Sequence, residues 1–479
     1  MSLKRIFACV AAAATLLAAC PLFTACRDKN QTAKNEYVLS AAYLGDEIKG
    51  TLGYTYRNDG RADRGEVRFN LYANAYREGA KYAPAKKEDK SAYPKGVSYG
   101  KTEILACYFN GEKTDFKVCG EDENVLSVTV KPSAKGEKGN ILIDFRTALP
   151  TANTRLGITE STVNLADFFP VACVWDGSQY TECVYSDLGD PYFAESSDYT
   201  VSLSVPSEYV AASSGTPDGT IVDGTRTTYR YTLKGGRDYA AVLSKEFGVS
   251  VGEAVGATVN VYGSQDFRDK TLPLAEKAIS YFSGVFGKFP YGAMAVVETP
   301  FYRGGMEYSG LCYVSEGLDE EKTAVSVAHE IAHQWWQSAV GTNQIGEAWL
   351  DEGLAEYSTY LFLAENGYGN IAENMLLSAK AGYKSFFDLP SVIGGEKNTA
   401  MNRNLKDFSG ELEYVAICYD KPLIMFTEFE KSVGRKKAVL RLKKFRAIYD
   451  GKIARSDDFI RSVGYGDFFG SYVSGRVVI

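Results

Sequence analysis

Two histidines occur in this chain of 479 residues, and they stand four positions apart, at His329 and His333, with Glu330 between them. On a helix this spacing puts both imidazoles on one face, one turn apart, where they can ligate one zinc ion. Glu330 would flank that metal and act as a general base toward water. The preceding residues, TAVSVA, are small and apolar, as in a buried helix. We therefore favour a metal site over a chance match on a solvated helix.

A catalytic zinc needs a third protein ligand, and the sequence offers Glu352 or its neighbour Asp351. Histidine is excluded because none remains, and Trp336 and Ala339 replace the Gly and His of the HExxHxxGxxH class. Glu352 begins a second predicted helix after a loop with two glycines, so the chain can fold back and present it. Two histidines and one glutamate, with one position open, form a catalytic rather than a structural zinc set.

Three separated motifs resemble those of one enzyme family. HEIAHQWW and WLDEGLAEY contain the two histidines and, after eighteen intervening residues, Glu352. GGME precedes them at residues 304 to 307, and YVAICYDKP follows them with Tyr419 and Lys421. In this order the motifs resemble the aminopeptidase N family of zinc metallopeptidases, which are gluzincins. The resemblance is strong over about 290–430 and weak in the first half of the chain.

The resemblance implies a zinc-dependent aminopeptidase that hydrolyses the N-terminal peptide bond of peptides with a free N-terminus. One zinc ion per chain would be held by His329, His333 and Glu352, and this favours Glu352 over Asp351 as the third ligand. Glu330 would take a proton from water and later deliver it to the leaving amine.

The same resemblance assigns the groups that bind substrate. Tyr419 would stabilise the oxyanion, with Tyr414 as its rival. Glu307 would hold the substrate's amino group by a charge-assisted hydrogen bond, together with the rest of its motif, Gly304, Gly305 and Met306. Glu356, four residues after Glu352, would orient a zinc histidine or is a surface carboxylate.

Two positions depart from the family pattern. Tyr308 stands where the family usually has Asn, and Pro422 stands where it often has Gly. We expect the first change to alter a substrate-side contact and the second to reshape a helix turn. Neither change removes a metal ligand.

Two other functions stay open at this stage. A zinc endopeptidase needs the same metal set without an amine anchor, so Glu307 is the residue that separates it from an aminopeptidase. The other is a surface-binding lipoprotein with a degenerate site, and the intact His329, Glu330, His333, Glu352 and Tyr419 argue against it.

The elements that must position these residues form an α+β multidomain protein. Alternation in EVRFNLYANA and DYTVSLSVP predicts a β-rich N-terminal domain of sandwich or saddle type over 37–255. Helical periodicity then predicts a thermolysin-like, mostly helical zinc peptidase domain with a small mixed sheet over 256–479. Helices are expected at about 320–338, 347–366, 371–386, 411–433 and 435–449, followed by a short helix with Ser456 as its N-cap.

The N-terminus has the features of a bacterial export signal. A basic start, an apolar run and small residues before cysteine predict a signal peptide over 1–26, followed by a polar tether over 27–36. Cys20 in LAAC and Cys26 in FTAC are candidate lipidation sites. We therefore expect an exported protein on the extracytoplasmic face of a bacterial membrane, held by this lipid anchor alone.

Composition adds two limits. The net charge of −7 argues against a nucleic-acid partner, because such proteins carry clustered basic residues. Disulfides and buried free thiols are both open for the six cysteines beyond the signal, which are Cys107, Cys119, Cys173, Cys183, Cys312 and Cys418.

Overall fold

The computed structural model describes residues 35–388 and 397–476. The predicted signal peptide, both candidate lipidation cysteines and most of the polar tether lie outside the described residues. Within the described ranges, no helix is long and apolar enough to cross a membrane.

The first half of the described chain forms β-strands, as its alternating sequence predicts. In EVRFN, Val67 and Phe69 are fully buried, while Glu66 and Arg68 are partly exposed. The strands are β1 (Asn35–Tyr43), β2 (Glu47–Arg57), β3 (Glu66–Asn70), β4 (Lys101–Phe109), β5 (Glu112–Thr114), β6 (Phe116–Cys119), β7 (Val125–Thr129), β8 (Lys138–Ala148), β9 (Leu156–Ile158), β10 (Val163–Ala166), β11 (Val171–Ala172), β12 (Ser197–Pro206), β13 (Val210–Ser213), β14 (Thr216–Asp223), β15 (Arg226–Gly236), β16 (Ala240–Ser244), β17 (Gly248–Ala254) and β18 (Ala257–Gly263).

Eight of these strands form the largest sheet, in the order β14-β15-β12-β1-β2-β8-β4-β5. Two smaller sheets have the orders β13-β16-β10-β9 and β11-β3-β7-β6. Tyr37 links the layers, because its ring stacks on Tyr199 at a centroid distance of 4.6 Å and its hydroxyl accepts a hydrogen bond from the Ala172 amide at 3.0 Å. The six cysteines in the described ranges are free thiols, and five of them are buried.

The second half is mostly helical around one small mixed sheet. The sheet has the order β17-β18-β19-β21-β20, in which β18, β19 and β21 are parallel and the remaining pairs are antiparallel. Its further strands are β19 (Ala293–Thr299), β20 (Gly305–Tyr308) and β21 (Leu311–Ser315). The helices are α1 (Gln265–Phe286), α2 (Glu320–Ala332), α3 (Trp349–Glu365), α4 (Gly369–Asp388), α5 (Glu411–Val415), α6 (Lys421–Val433), α7 (Arg435–Tyr449), α8 (Ser456–Val463) and α9 (Gly466–Val473).

This arrangement confirms the predicted α+β fold class, with strands first and helices around a small mixed sheet second. β17 lies before the predicted domain boundary at residue 255, but it pairs with β18 in the five-stranded mixed sheet of the second half. The boundary itself stays a prediction.

The predicted helix 320–338 is too long. α2 ends at Ala332, and His333 caps its C-terminus. The amides of Ser338, Ala339 and Val340 then donate to carbonyls five residues back, which forms a wide turn instead of further α-helix. This turn lets the chain reverse before α3 begins.

Candidate active site

Three ligand-type side chains meet between α2 and α3. His329 Nε2 lies 3.0 Å from His333 Nε2 and 3.2 Å from Glu352 Oε2, and His333 Nε2 lies 3.3 Å from the same oxygen. All three residues are buried. The i, i+4 spacing on α2 sets the histidine pair, and the position of Glu352 in the first turn of α3 brings the carboxylate to it.

The donor set fits zinc. Ligands at zinc-ligand distances of about 2.0–2.1 Å around one tetrahedral ion lie about 3.3 Å apart, which is close to the separations found here. Asp351 does not belong to this group. Its carboxylate is buried and forms no hydrogen bond with any described residue, so Glu352 is the carboxylate that faces the imidazoles.

The carboxylate of Glu352 and the two imidazoles shift one another's pKa values. Burial acts to raise the pKa of Glu352, but hydrogen bonds with His329 and His333 outweigh burial and hold that pKa well below its usual range. Burial acts to lower the pKa of His333, but Glu352 outweighs it and raises the pKa. An ionised Glu352 is therefore favoured, and its negative charge attracts a positive charge to the two imidazoles, either a proton or a metal ion that replaces it.

Each histidine also has a neighbour at its outer nitrogen. His333 Nδ1 donates to the Trp336 carbonyl at 3.1 Å, which fixes the ring orientation and leaves Nε2 to face the metal position. His329 Nδ1 lies 3.2 Å from Glu356 Oε1, without the geometry of a hydrogen bond. Glu356 is thus next to a histidine and half-buried, rather than on the open surface.

Glu330 lies against the backbone of the GGME segment. A Cβ on Gly305 would lie 2.3 Å from Glu330 Oε1, so this close approach needs glycine. Burial raises the pKa of Glu330 to about 7, and the two histidines partly offset that effect. Glu330 Oε2 is buried without a hydrogen-bond partner among the described residues, which leaves it free to accept a proton.

Glu307 lies on β20, across the site from the two helices. Ligand atoms of Glu307, Glu330 and His333 lie within 4.8 Å of one another. Burial raises the pKa of Glu307 well above its usual value, and the nearby carboxylates of Asp190 and Glu352 add to this effect. The site therefore has another carboxylate besides those of Glu352 and Glu330.

Among the described residues, Gln344 is a side-chain hydrogen-bond donor to Glu307 that no sequence motif indicates. Gln344 Nε2 donates to Glu307 Oε1 at 2.7 Å, and both side chains are buried. Gln344 lies in the loop between α2 and α3, where a polar residue carries no motif signal. The only feature that points to it is proximity to the metal motif along the chain.

Two tyrosines close another side of the site. The Tyr419 ring stacks on His329 with a centroid distance of 6.1 Å, and Tyr414 packs edge-on against Tyr419 at 5.6 Å. Tyr414 is the more deeply buried of the two, and a Cβ on Gly189 would lie 2.6 Å from its hydroxyl oxygen. Of the two tyrosines, Tyr419 is therefore the one whose ring stacks on His329.

The β-rich half contributes a buried ion pair that sequence reasoning missed. Arg155 pairs with Asp190, and its Nε atom donates to Met306 Sδ at 3.2 Å. Arg155 also donates to the Tyr302 hydroxyl at 3.4 Å. These contacts hold the GGME segment against the first half of the molecule.

Comparison with known proteins agrees with this geometry. A family model described as the peptidase family M1 domain matches residues 271–467. The aminopeptidase N of Acetobacter pasteurianus is 28% identical over 181 residues, which are 33% of this chain and 50% of that protein. Residues 271–467 therefore form a peptidase family M1 domain. Aminopeptidase M1-B of Oryza sativa subsp. japonica is 29% identical over 182 residues, 34% of this chain and 21% of that protein. The matched regions thus span half or less of these M1 relatives.

The fold is shared along nearly the whole chain with an M1 zinc metallopeptidase from Deinococcus radiodurans. Its crystal structure has a TM-score of 0.63 at 16% identity and covers 94% of this chain and 95% of that one. Another structure of that metallopeptidase, with a TM-score of 0.62 at 15% identity, is described as bound to a Tyr-Ser-Ala substrate and covers 93% of this chain and 95% of that one. Both likenesses concern the fold.

The two departures from the M1 pattern have structural correlates. The Tyr308 ring is fully buried against Tyr313 and Tyr192, with centroid distances of 5.0 and 6.1 Å, so the change alters the core behind β20. The expected substrate-side contact is therefore not seen. Pro422 is the second residue of α6, two positions after a π-helical turn over 416–420 that contains Tyr419. Because proline lacks an amide hydrogen, it cannot form the regular helical bond to the residue four positions earlier, which is consistent with this turn.

Proposed function

We propose that this M1 chain is a zinc-dependent aminopeptidase that hydrolyses the first peptide bond of peptides with a free N-terminus. The observation that carries the proposal is the position of Glu307. Its carboxylate lies within 4.8 Å of ligand atoms of Glu330 and His333, but it is not one of the three residues, His329, His333 and Glu352, that would hold the zinc ion. A carboxylate in that place suits the α-ammonium of a substrate.

The metal would be one zinc ion held by His329, His333 and Glu352. Zinc would act as a Lewis acid, which would lower the pKa of water from 15.7 to about 7 and polarise a carbonyl. The remaining work falls to the side chains of this chain.

Glu330 acts as the proton carrier. Its buried Oε2 takes a proton from the attacking water and later delivers it to the leaving amine. Contact with the Gly305 backbone holds the carboxylate in place while it changes charge.

Glu307 sets the position of cleavage. It binds the substrate's ammonium by a charge-assisted hydrogen bond, so the first peptide bond lies beside Glu330 and the metal position. Gly304 and Gly305, next to the edge strand β20, leave backbone groups for an extended peptide.

Tyr419 would donate its hydroxyl hydrogen to the developing oxyanion. Its stacking on His329 supports this role, since it puts the phenol at the metal side of the site.

The direct test is product analysis on a set of free peptides that differ in the first residue. The zinc-loaded protein should shorten at least some of them by one residue at a time from the N-terminus. A chelator should stop the reaction and zinc should restore it. Internal fragments would favour an endopeptidase, and an inert zinc-loaded protein would favour a binding protein with a degenerate site.

We also propose that the chain is exported and carries an N-terminal lipid, on the strength of the motifs at Cys20 and Cys26. The test is labelling of the full chain with a clickable fatty acid in a bacterial host, for the wild type and for Cys20→Ser and Cys26→Ser. Loss of label in one variant identifies the modified cysteine. An unlabelled wild type contradicts the anchor.

A further inference from the structure

Gln344 is the one described residue whose side chain donates a hydrogen bond to Glu307, at 2.7 Å from Nε2 to Oε1. We infer that Gln344 is a positioning residue that orients Glu307 for the substrate's ammonium without neutralising it. The inference rests on the proposed function, because it deepens the role given there to Glu307.

The loop around Gln344 is held in a defined shape. The Asn343 side chain accepts hydrogen bonds from the amides of Ile345 and Gly346 at 3.2 and 3.1 Å. The Ile345 carbonyl accepts from the Leu405 amide at 2.9 Å, which ties the loop to the segment that precedes α5. The backbone that carries Gln344 is therefore ordered, so less conformational entropy is lost when its side chain forms the hydrogen bond with Glu307.

Glu307 needs such a donor because its surroundings are acidic. Burial and the nearby carboxylates of Asp190, Glu352, Glu330 and Asp351 all disfavour a negative charge on Glu307. No lysine or arginine among the described residues forms an ion pair with Glu307. A buried carboxylate in this place would turn away from its neighbours unless a donor held its orientation.

The neutral character of the donor matters for function. A lysine or arginine would also hold Glu307, but it would supply the positive charge that the substrate's ammonium brings. An amide satisfies one carboxylate oxygen and leaves the net charge, and the other oxygen, for the ligand. This division explains why an uncharged residue lies against a buried carboxylate beside a metal site.

The test uses the zinc-loaded protein and one free-amine peptide that the wild type cleaves. Gln344→Met keeps the size of the side chain and removes the donor, and Gln344→Lys adds a competing cation. Thr342→Val is the matched control, since Thr342 is buried in the same loop and its hydroxyl has no hydrogen-bond partner among the described residues. Zinc content and the thermal midpoint are measured for every variant.

We expect Gln344→Met to lower kcat/KM about tenfold, mainly through KM, with zinc content unchanged. Gln344→Lys should lower it at least as much, although lysine restores a donor. Thr342→Val should resemble the wild type. In a Glu307→Ala background, neither change at position 344 should cause a further loss, because no carboxylate remains to be oriented.

Wild-type kinetics in Gln344→Met, or equal losses in both backgrounds, would overturn the positioning role and leave the proposed function standing. Should Gln344→Met fail to fold, Gln344→Lys decides the matter: near-normal KM in that variant would overturn the inference. A wild-type protein that binds zinc and cleaves no peptide would overturn both proposals.

Discussion

The Tyr419 ring lies almost parallel to the His329 ring, with 21° between the planes and 6.1 Å between the centroids. In this place the hydroxyl of Tyr419 is the group that would donate a hydrogen bond to the developing oxyanion. We expect Tyr419→Phe to lower kcat by about 10²–10³ and to leave zinc content unchanged. Tyr414→Phe is the comparison, and steady-state kinetics of both proteins should show the larger loss at Tyr419. The reverse order would make Tyr414 the oxyanion donor.

The second prediction concerns the metal ligands. His333→Ala removes one of three converging donors, so bound zinc should fall to background in elemental analysis and activity should be lost. Glu321→Ala, on the exposed first turn of the same helix, is a suitable control and should keep stoichiometric zinc. Stoichiometric zinc in His333→Ala would show that the metal is held elsewhere.

The third prediction concerns the base. Glu330→Gln keeps the shape of a side chain that packs against Gly305 but removes its ability to accept a proton. We expect it to bind zinc normally and to lose turnover by about 10²–10⁴. Turnover close to that of the wild type would assign the proton transfer to another group.

The fourth prediction concerns Glu356, which lies 3.2 Å from His329 Nδ1. Glu356→Ala should weaken zinc binding by about 10–100-fold, because the imidazole loses the carboxylate beside its outer nitrogen. Competition with a chromogenic chelator measures this. Unchanged zinc affinity would leave Glu356 as a carboxylate without a role at the metal.

The sequence alone predicts the local part of the site, because helix geometry converts the i, i+4 spacing of His329 and His333 directly into neighbouring side chains. Glu352 is predictable through its motif once the chain is known to fold back. Gln344 and the Arg155–Asp190 pair are not, since their contacts depend on segments that meet only in the folded molecule.

For the fold too, local features are predictable from the sequence and contacts between distant segments are not. Strand and helix periodicity predicts the α+β order, but not the parallel pairing of β1 with β12, which joins segments far apart in the chain. The predicted N-cap at Ser456 is wrong, because its hydroxyl donates to the Asn402 side chain and accepts from Trp349, while Arg455 is the capping residue. Tertiary hydrogen bonds here override a local preference.

The central claim is that Glu307 recognises the free amine of a peptide and thereby makes this zinc site an aminopeptidase. The decisive measurement is kcat/KM for one peptide with a free and with an acetylated N-terminus, for the wild type and Glu307→Ala. We predict that the wild type strongly prefers the free peptide and that Glu307→Ala loses at least about tenfold on it, with a much smaller loss on any acetylated peptide that is cleaved. Equal losses on both peptides, or efficient cleavage of the acetylated peptide at internal bonds by the wild type, would contradict the account.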